Sequence, residues 1–334
     1  MAEPVVSIIC ETYNHESYIR TCLDSLLAQE TRYPFEIIVH DDASTDSTPT
    51  IVAEYSRLHP GIIRPILQEE NQLSQGRNPF DLACQIAEGK YIACCEGDDF
   101  WLDPNKLEMQ VGYLEEHPSC TFCFTNAKYF DDAGSSFTGT LLPGNEKEAR
   151  ILSRDRAIDV VDMLQIEFIP TASFIFPRWA YDQRPIFPRP AFDGDRYLQM
   201  VMTEAGEAHY MDAITTAYRI NNSSSMMEVW RRNNQKMYEG DVEFLHFFLE
   251  FDAYTKGRYE KELMPWIMRW DYAAARHSGD ARRVRQAKFW RYARQKGGLE
   301  VPVYLLTCVS PSLFLATRAF VRSLPRLSLP KRKK

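Results

Sequence analysis

Two adjacent carboxylates, Asp98 and Asp99, follow the short apolar run Tyr91-Ile92-Ala93-Cys94-Cys95 in a chain of 334 residues. The run reads as a buried strand, and Glu96-Gly97 as the turn that ends it. In an open α/β sheet, ligands lie beyond the carboxyl ends of the strands. Two hard oxygen donors at that place suit Mg²⁺ or Mn²⁺ shared with the phosphates of a substrate. The same pair also fits a solvated acidic turn that merely stops a strand. Which reading applies depends on the elements around it.

Those elements alternate. Val5–Cys10 is a β-branched apolar run ending at Glu11-Thr12-Tyr13-Asn14, and Ser17–Gln29 follows with helical spacing. Phe35–Val39 is a second strand, ending at His40-Asp41-Asp42-Ala43-Ser44, with a helix over Thr45–Arg57. A strand over Ile62–Leu67 and a helix over Asn78–Glu88 precede Tyr91–Cys95. Strand alternating with helix through short loops predicts a mostly parallel sheet covered on both faces. Three successive strand ends then carry Thr12-Tyr13-Asn14, Asp41-Asp42 and Asp98-Asp99 along one edge. Tyr13 can stack on a flat base, Asp42 can accept a hydrogen bond from a base N–H, and Asp98 and Asp99 can hold a metal on a diphosphate. Neither a G-x-G-x-x-G after the first strand nor a G-x-x-x-x-G-K-[ST] occurs. Without a glycine-rich phosphate cradle, a metal would have to neutralise most of the diphosphate charge.

At this point the chain resembles the inverting family 2 glycosyltransferases of the GT-A fold. The resemblance rests on Pro4-Val5-Val6-Ser7-Ile8-Ile9-x-x-Thr12-Tyr13-Asn14, on Ile37-Ile38-Val39-x-Asp41-Asp42-Ala43-Ser44-x-Asp46, and on Asn71 with Arg77-Asn78. It continues through Ala87-Glu88-Gly89-Lys90-Tyr91-Ile92, Gly97-Asp98-Asp99-x-Trp101, Pro104-x-Lys106-Leu107 and Gln110. Each motif alone is weak; their order and spacing are specific. The resemblance implies a GT-A (Rossmann-like) domain over about residues 1–225, with a nucleotide-binding half to about 103 and an acceptor half from 104. It implies that Thr12, Tyr13 and Asp42 surround the nucleotide base, and that Asp41 supports them or faces the ribose. It also implies that Asn14 and Trp101 belong to the substrate-binding set, that Arg77 approaches phosphates or sugar, that Asp98 contacts ribose or sugar, and that Asp99, with Asp98, ligates Mn²⁺ or Mg²⁺. Read as residues alone, Asp42 also fits an Asx-turn, Tyr13 ordinary packing and Arg77 a surface ion pair.

The second half begins with an amphipathic helix over Lys106–Glu116 and strands Thr121–Phe124 and Lys128–Phe130 flanking Thr125-Asn126. Asp131–Ser136 reads as a solvated hairpin turn, Gly139–Arg154 as a polar irregular loop near the acceptor, and Ala157–Gln165 as a helix. Another helix opens at Phe192-Asp193-Gly194-Asp195, where a carboxylate in the first turn fits the helix dipole or a cap. The resemblance implies that Asp195 is the catalytic base. Gly194 stands where many family members have Glu, so Asp193 is expected to take that carboxylate's part. Tyr218-Arg219-Ile220-Asn221 resembles the family's Tyr-Arg-x-His segment with Asn221 in place of His, which leaves a third protein metal ligand in doubt.

The whole chain is 45% hydrophobic and 25% charged, with a net charge of −7. The charge is uneven. Residues 281–334 hold fourteen Lys and Arg and one acid, Glu300, so that segment carries +13 and the rest −20. The region 226–300 is helical and aromatic-rich, and 301–334 is an apolar and basic tail; clustered cations among aromatics over 281–334 fit peripheral contact with an anionic membrane. No nucleic-acid reading motif is present. The Met1–Pro4 start lacks signal-peptide character, no apolar run reaches spanning length, and the eight cysteines lack disulfide or zinc spacing. A cytoplasmic protein, peripheral at the inner face of the cell membrane, is therefore expected. The expected activity is inverting transfer from a nucleotide-diphosphate sugar, most simply a UDP-sugar, to a hydroxyl of a glycan or lipid-linked glycan in cell-surface polysaccharide synthesis. The rival readings are a non-catalytic sugar-nucleotide-binding scaffold at the membrane and a metal-dependent nucleotidyltransferase.

Overall fold

The computed structural model of the chain describes residues 3–187, 194–220 and 233–316. It divides into two units, one of Met1–Ile186 with Leu198–Ser224, the other of Phe187–Tyr197 with Ser225–Lys334.

The first unit opens with β1 (Val6–Thr12), α1 (Ile19–Leu27), β2 (Phe35–Asp41), α2 (Thr48–Leu58), β3 (Ile63–Leu67), α3 (Pro79–Ile86) and β4 (Tyr91–Cys94). It continues through β5 (Phe100–Trp101), α4 (Lys106–Glu116), β6 (Cys120–Asp131), β7 (Ser136–Thr140), α5 (Glu146–Ile151), β8 (Arg156–Ile158), α6 (Val160–Met163), β9 (Ile175–Pro177), α7 (Arg178–Asp182), α8 (Gly194–Ala205), whose first residues to Tyr197 belong to the second unit, and β10 (Glu207–Ile220). Among the described residues the strands form one ten-stranded sheet in the order β3-β2-β1-β4-β9-β6-β10-β5, with β7 on β6 and β8 on β10. β1 pairs in parallel with β2 and β4, and β2 with β3. β1 sits centrally, so Val6, Ile8 and Cys10 are buried, packed with Ile19, Leu23 and Leu26 of α1 and Val52 of α2. Such two-sided burial is why these strands read as continuous apolar runs. The register sets Thr12 opposite Asp41 and Ile9 opposite Cys94, which brings the three polar strand ends to one edge. The fold is the expected α/β arrangement with a helical C-terminal region.

Three local expectations change. β6 runs unbroken through Thr125-Asn126, because the Asn126 amide donates to the Leu142 carbonyl (2.6 Å) and accepts the Leu142 N–H (2.8 Å), tying the strand to the chain beyond β7. Gly139–Arg154 is not irregular. It ends β7, buries Leu141, Leu142, Ile151 and Leu152, and forms α5 behind an Asn145 cap that accepts the Lys147 and Glu148 N–H groups. Ala157–Gln165 splits into β8, paired with β10, and α6, capped by Asp159.

The second unit holds α9 (Asn234–Tyr254), α10 (Glu260–His277), α11 (Ala281–Val284), α12 (Ala287–Lys296) and α13 (Glu300–Val309). Phe244 stacks on Trp270 at 4.2 Å, and Phe248 on Trp266 at 5.3 Å, joining α9 to α10. A second core gathers Tyr272, Val284, Phe289, Ala293 and Tyr304. Phe187 and Tyr197, expected in the acceptor half, pack instead on Phe247 of α9, because aromatic rings bury more area against one another than against water. No helix among the described residues is long and apolar enough to cross a membrane.

Lys106, at the start of α4, is wholly buried. Its ammonium donates to Gln110 Oε1 (2.6 Å) and lies 4.6 Å from the centroid of the Trp101 ring. Burial pulls its pKa down from 10.5 to about 8. The unfolded chain therefore binds this proton up to about pH 10.5 while the folded chain releases it near 8, so stability should rise between these values. Lys106→Met removes the titration. Its stability advantage over the native chain should shrink by about 3 kcal/mol from below pH 8 to pH 10.5, as read by urea unfolding. A pH-independent difference would refute the shift.

Candidate active site

β4 delivers the turn Glu96-Gly97-Asp98-Asp99. Cys95 donates its N–H to the Ile9 carbonyl (3.0 Å) and Gly97 to the Glu11 carbonyl (2.8 Å), so the turn leaves the sheet pinned to the end of β1. A Cβ on Gly97 would stand 2.8 Å from Thr12 Oγ1 and 2.9 Å from His15 Nδ1, so only glycine permits this approach. Both of those buried polar atoms lack a hydrogen-bond partner among the described residues. Burial lowers the His15 pKa against the nearby charges of Asp98, Asp46 and Asp41, which keeps the imidazole neutral near pH 7.

Asp99 is 4% exposed. Burial, and then the charge of Asp98, hold its carboxyl well above the usual range, opposed by Arg219. Arg219, on β10, donates its backbone N–H to Asp99 Oδ1 (2.8 Å) and its Nε–H to the Asp98 carbonyl (2.7 Å). Its Nη1 pairs with Asp132 Oδ1 at 2.8 Å, and Tyr18 donates its hydroxyl to Asp132 Oδ2 at 3.2 Å. The rings of Tyr18, Phe100 and Phe130 surround the guanidinium at 4.7, 5.3 and 5.0 Å. Asp132, expected in a solvated turn, is thus the counter-ion of a buried clasp that fixes the Asp98-Asp99 turn. The sequence showed Arg219 only as part of a motif, and it gave no signal that Tyr18 or Asp132 would join it.

The loops after β1 and β2 are laced together. Asn14, at φ 55°, donates its N–H to Ser44 Oγ (2.8 Å), and its side-chain oxygen accepts the Thr45 N–H (2.8 Å). His15 and Glu16 donate backbone N–H groups to Thr48 Oγ1 and Asp46 Oδ2. Asp41, buried, accepts the Ser44 N–H (3.0 Å) and hydroxyl (2.5 Å); its pKa is raised by burial and restrained by those two bonds. Asp42 accepts the Gln72 N–H (2.6 Å) and the Leu73 N–H (3.2 Å), and its carbonyl accepts from the Asn71 amide (2.9 Å). Its carboxylate shapes the 71–73 loop and keeps lone pairs for further donors. Tyr13 is 46% exposed at the same edge, and Arg77 is exposed with Nη1 on Gln72 Oε1 (3.1 Å).

Thr12, Tyr13, Asn14, Asp41, Asp42, Asp98 and Asp99 therefore share one sheet edge. Trp101 does not line it: the indole is buried and donates to the Ala172 carbonyl (3.0 Å), because β5 turns the ring into the core over Lys106. Asp195 lies half-buried in the first turn of α8, in the second unit. Asp193 and Asn221 fall outside the described residues.

Two adjacent carboxylates, one of them buried with its carboxyl held well above the usual range by burial and by its neighbour, fit a hard divalent cation. No group of three or more His, Cys, Asp or Glu side chains forms a cage among the described residues. A metal here would rely on substrate phosphates and water for its other ligands, as Mg²⁺ sites commonly do.

Residues 7–177 match the model of Glycosyl transferase family 2, and the chain belongs to that family. The fold, with its switch from parallel strands to a mixed far side, is GT-A. An uncharacterized Mycobacterium tuberculosis protein is 38% identical over 215 residues, 64% of this chain and 58% of that protein, so the chain spans less than two thirds of that relative. TuaG of Bacillus subtilis, assigned by name to glycosyl transfer in teichuronic acid biosynthesis, is 26% identical over 78% of this chain and 98% of its own. Staphylococcus aureus TarS 1-349 in complex with UDP-GlcNAc shares the fold with a TM-score of 0.54 at 18% identity, covering 94% of this chain and 90% of that one. The mannosyltransferase PcManGT of Pyrobaculum calidifontis, in complex with GDP-Man and Mn²⁺, gives 0.51 at 18% identity, over 96% and 87%.

Asp132→Ala should remove the ion pair that holds the buried Arg219 guanidinium, costing about 2 kcal/mol in urea unfolding. Asp131→Asn next to it should change stability by less than about 0.5 kcal/mol. Equal effects would show that the Asp132 clasp is not a stabilising element.

Proposed function

We propose that the protein is an inverting, metal-dependent glycosyltransferase that takes a sugar from a nucleotide-diphosphate donor, most simply a UDP-sugar. The acceptor is a hydroxyl of a glycan or lipid-linked glycan in cell-surface polysaccharide synthesis. The observation that carries this reading is the convergence of Thr12, Tyr13, Asp41-Asp42 and Asp98-Asp99 on one edge of a GT-A sheet in a family 2 chain.

In this reading Tyr13 stacks on the base and Asp42 accepts from a base N–H. Asp41 and Asn14 hold the loop that carries Asp42, and Arg77 reaches the phosphates. A divalent cation held by Asp99 and Asp98 would supply Lewis-acid neutralisation of the departing diphosphate. Asp195 accepts the proton of the acceptor hydroxyl as that oxygen attacks the anomeric carbon. The bond from the anomeric carbon to the phosphate oxygen breaks in the same displacement, and the nucleoside diphosphate leaves with the bonding pair. One in-line displacement inverts the anomeric centre. Asp193 assists Asp195 in the place where many family members carry Glu.

The experiment is a thermal-shift screen of UDP-, GDP-, dTDP- and CMP-sugars with Mn²⁺, Mg²⁺ or a chelator, followed by transfer assays with the donor that binds. A ligand that binds only the native state raises the melting temperature by mass action. One nucleotide should shift it, and only with metal. Asp99→Ala should abolish the metal-dependent part of the shift. Asp195→Asn should keep the shift and lower transfer by about 10³-fold or more. Donor binding without turnover over many acceptors would favour a scaffold, and pyrophosphate release from a nucleoside triphosphate and a sugar phosphate would favour a nucleotidyltransferase. Full activity in Asp195→Asn would end its assignment as base.

A further inference from the structure

Helix α13 buries one face, and its other, apolar face is exposed among the described residues. Tyr304 and Thr307 are buried, Tyr304 in the core with Tyr272 and Phe289. Pro302, Leu305 and Val309, spaced three and four residues apart, share the opposite face and are exposed, Val309 by 80%. Leu299, 81% exposed, and Leu313 extend the stripe at either end. A single exposed apolar residue needs no explanation, but three on one face of a helix, flanked by two exposed Leu, do.

One cation borders this stripe, and others stand exposed on the two helices that precede it. Arg285 forks onto the Cys308 carbonyl through Nε (3.0 Å) and Nη2 (2.6 Å), which sets a guanidinium beside Val309. Arg282, Arg291, Arg294 and Lys296 are exposed on α11 and α12, and none of these five pairs with an acid among the described residues. Glu300, the one acid after residue 280, is engaged by Arg276 at 3.2 Å. In sequence, residues 317–334 add seven more Lys and Arg and no acid.

We infer that the α12–α13 face is a docking surface for an anionic phospholipid bilayer. The apolar side chains of α13 enter the headgroup boundary, and the cations of α11 and α12 meet the phosphates. Apolar groups exposed on one helix, with exposed cations on the helices before it, suit an interfacial membrane contact. A purely acidic protein partner or a nucleic acid would match the charge and leave the Leu305–Val309 stripe in water. The inference stands independently of the transfer reaction, because it uses residues of the second unit alone.

The test is co-sedimentation of the full chain with phosphatidylcholine vesicles and with vesicles enriched in phosphatidylglycerol. The chain should sediment with the anionic vesicles, and added salt should weaken that binding. Leu305→Asp with Val309→Asp, and separately Arg291→Glu with Arg294→Glu, should each weaken it by about tenfold or more. All four positions are exposed, so melting temperatures should not move, which separates lost docking from lost folding. Failure of the full chain to sediment would overturn the inference. So would unchanged binding in the Leu305/Val309 variant, which would assign the contact to the terminal basic residues alone. A doubled solution mass that the Leu305/Val309 variant abolishes would also overturn it, in favour of a second copy of the chain.

Discussion

Asp99 is nearly out of water beside a second carboxylate, an arrangement that a protein interior disfavours unless donors and positive charge converge on it. Arg219 supplies both. Its backbone N–H reaches Asp99, its guanidinium spans from the Asp98 carbonyl to Asp132, and three aromatic rings keep water from it. The residues that clasp the turn come from the start of α1, from β5, β6 and β10 and from the loop after β6, so the geometry of the acidic pair depends on segments remote in sequence being folded together.

The other strand ends are held by a different device. There the loops bind one another through side chains of Asn14, Ser44, Asp46 and Thr48, and Asp42 is anchored to the 71–73 loop by two backbone donors. Buried carboxylates that accept loop N–H groups give a polar edge fixed geometry without a glycine-rich phosphate cradle. The remaining electrostatic imbalance lies at Asp98-Asp99.

The C-terminal unit obeys a separate logic. Stacked aromatics join its helices, and its surface collects the positive charge that the sheet unit lacks.

Periodicity and strand-end chemistry determined much from the sequence alone. The central strands, buried on both faces, announce themselves as apolar runs, and the parallel order follows from strand–helix alternation. The positions of Thr12, Asp42 and Asp99 along one edge follow from that order. Other features required the tertiary structure. Trp101 looked like a substrate contact, but β5 buries it over Lys106. Asp132 looked like a solvated turn residue, but the return of β10 beside β6 brings Arg219 within 2.8 Å. Asn126 looked like a break, but its amide ties down Leu142. In each case the deciding partner is remote in sequence: residue type and local spacing encode what a segment forms, while long-range pairing decides what its polar groups meet.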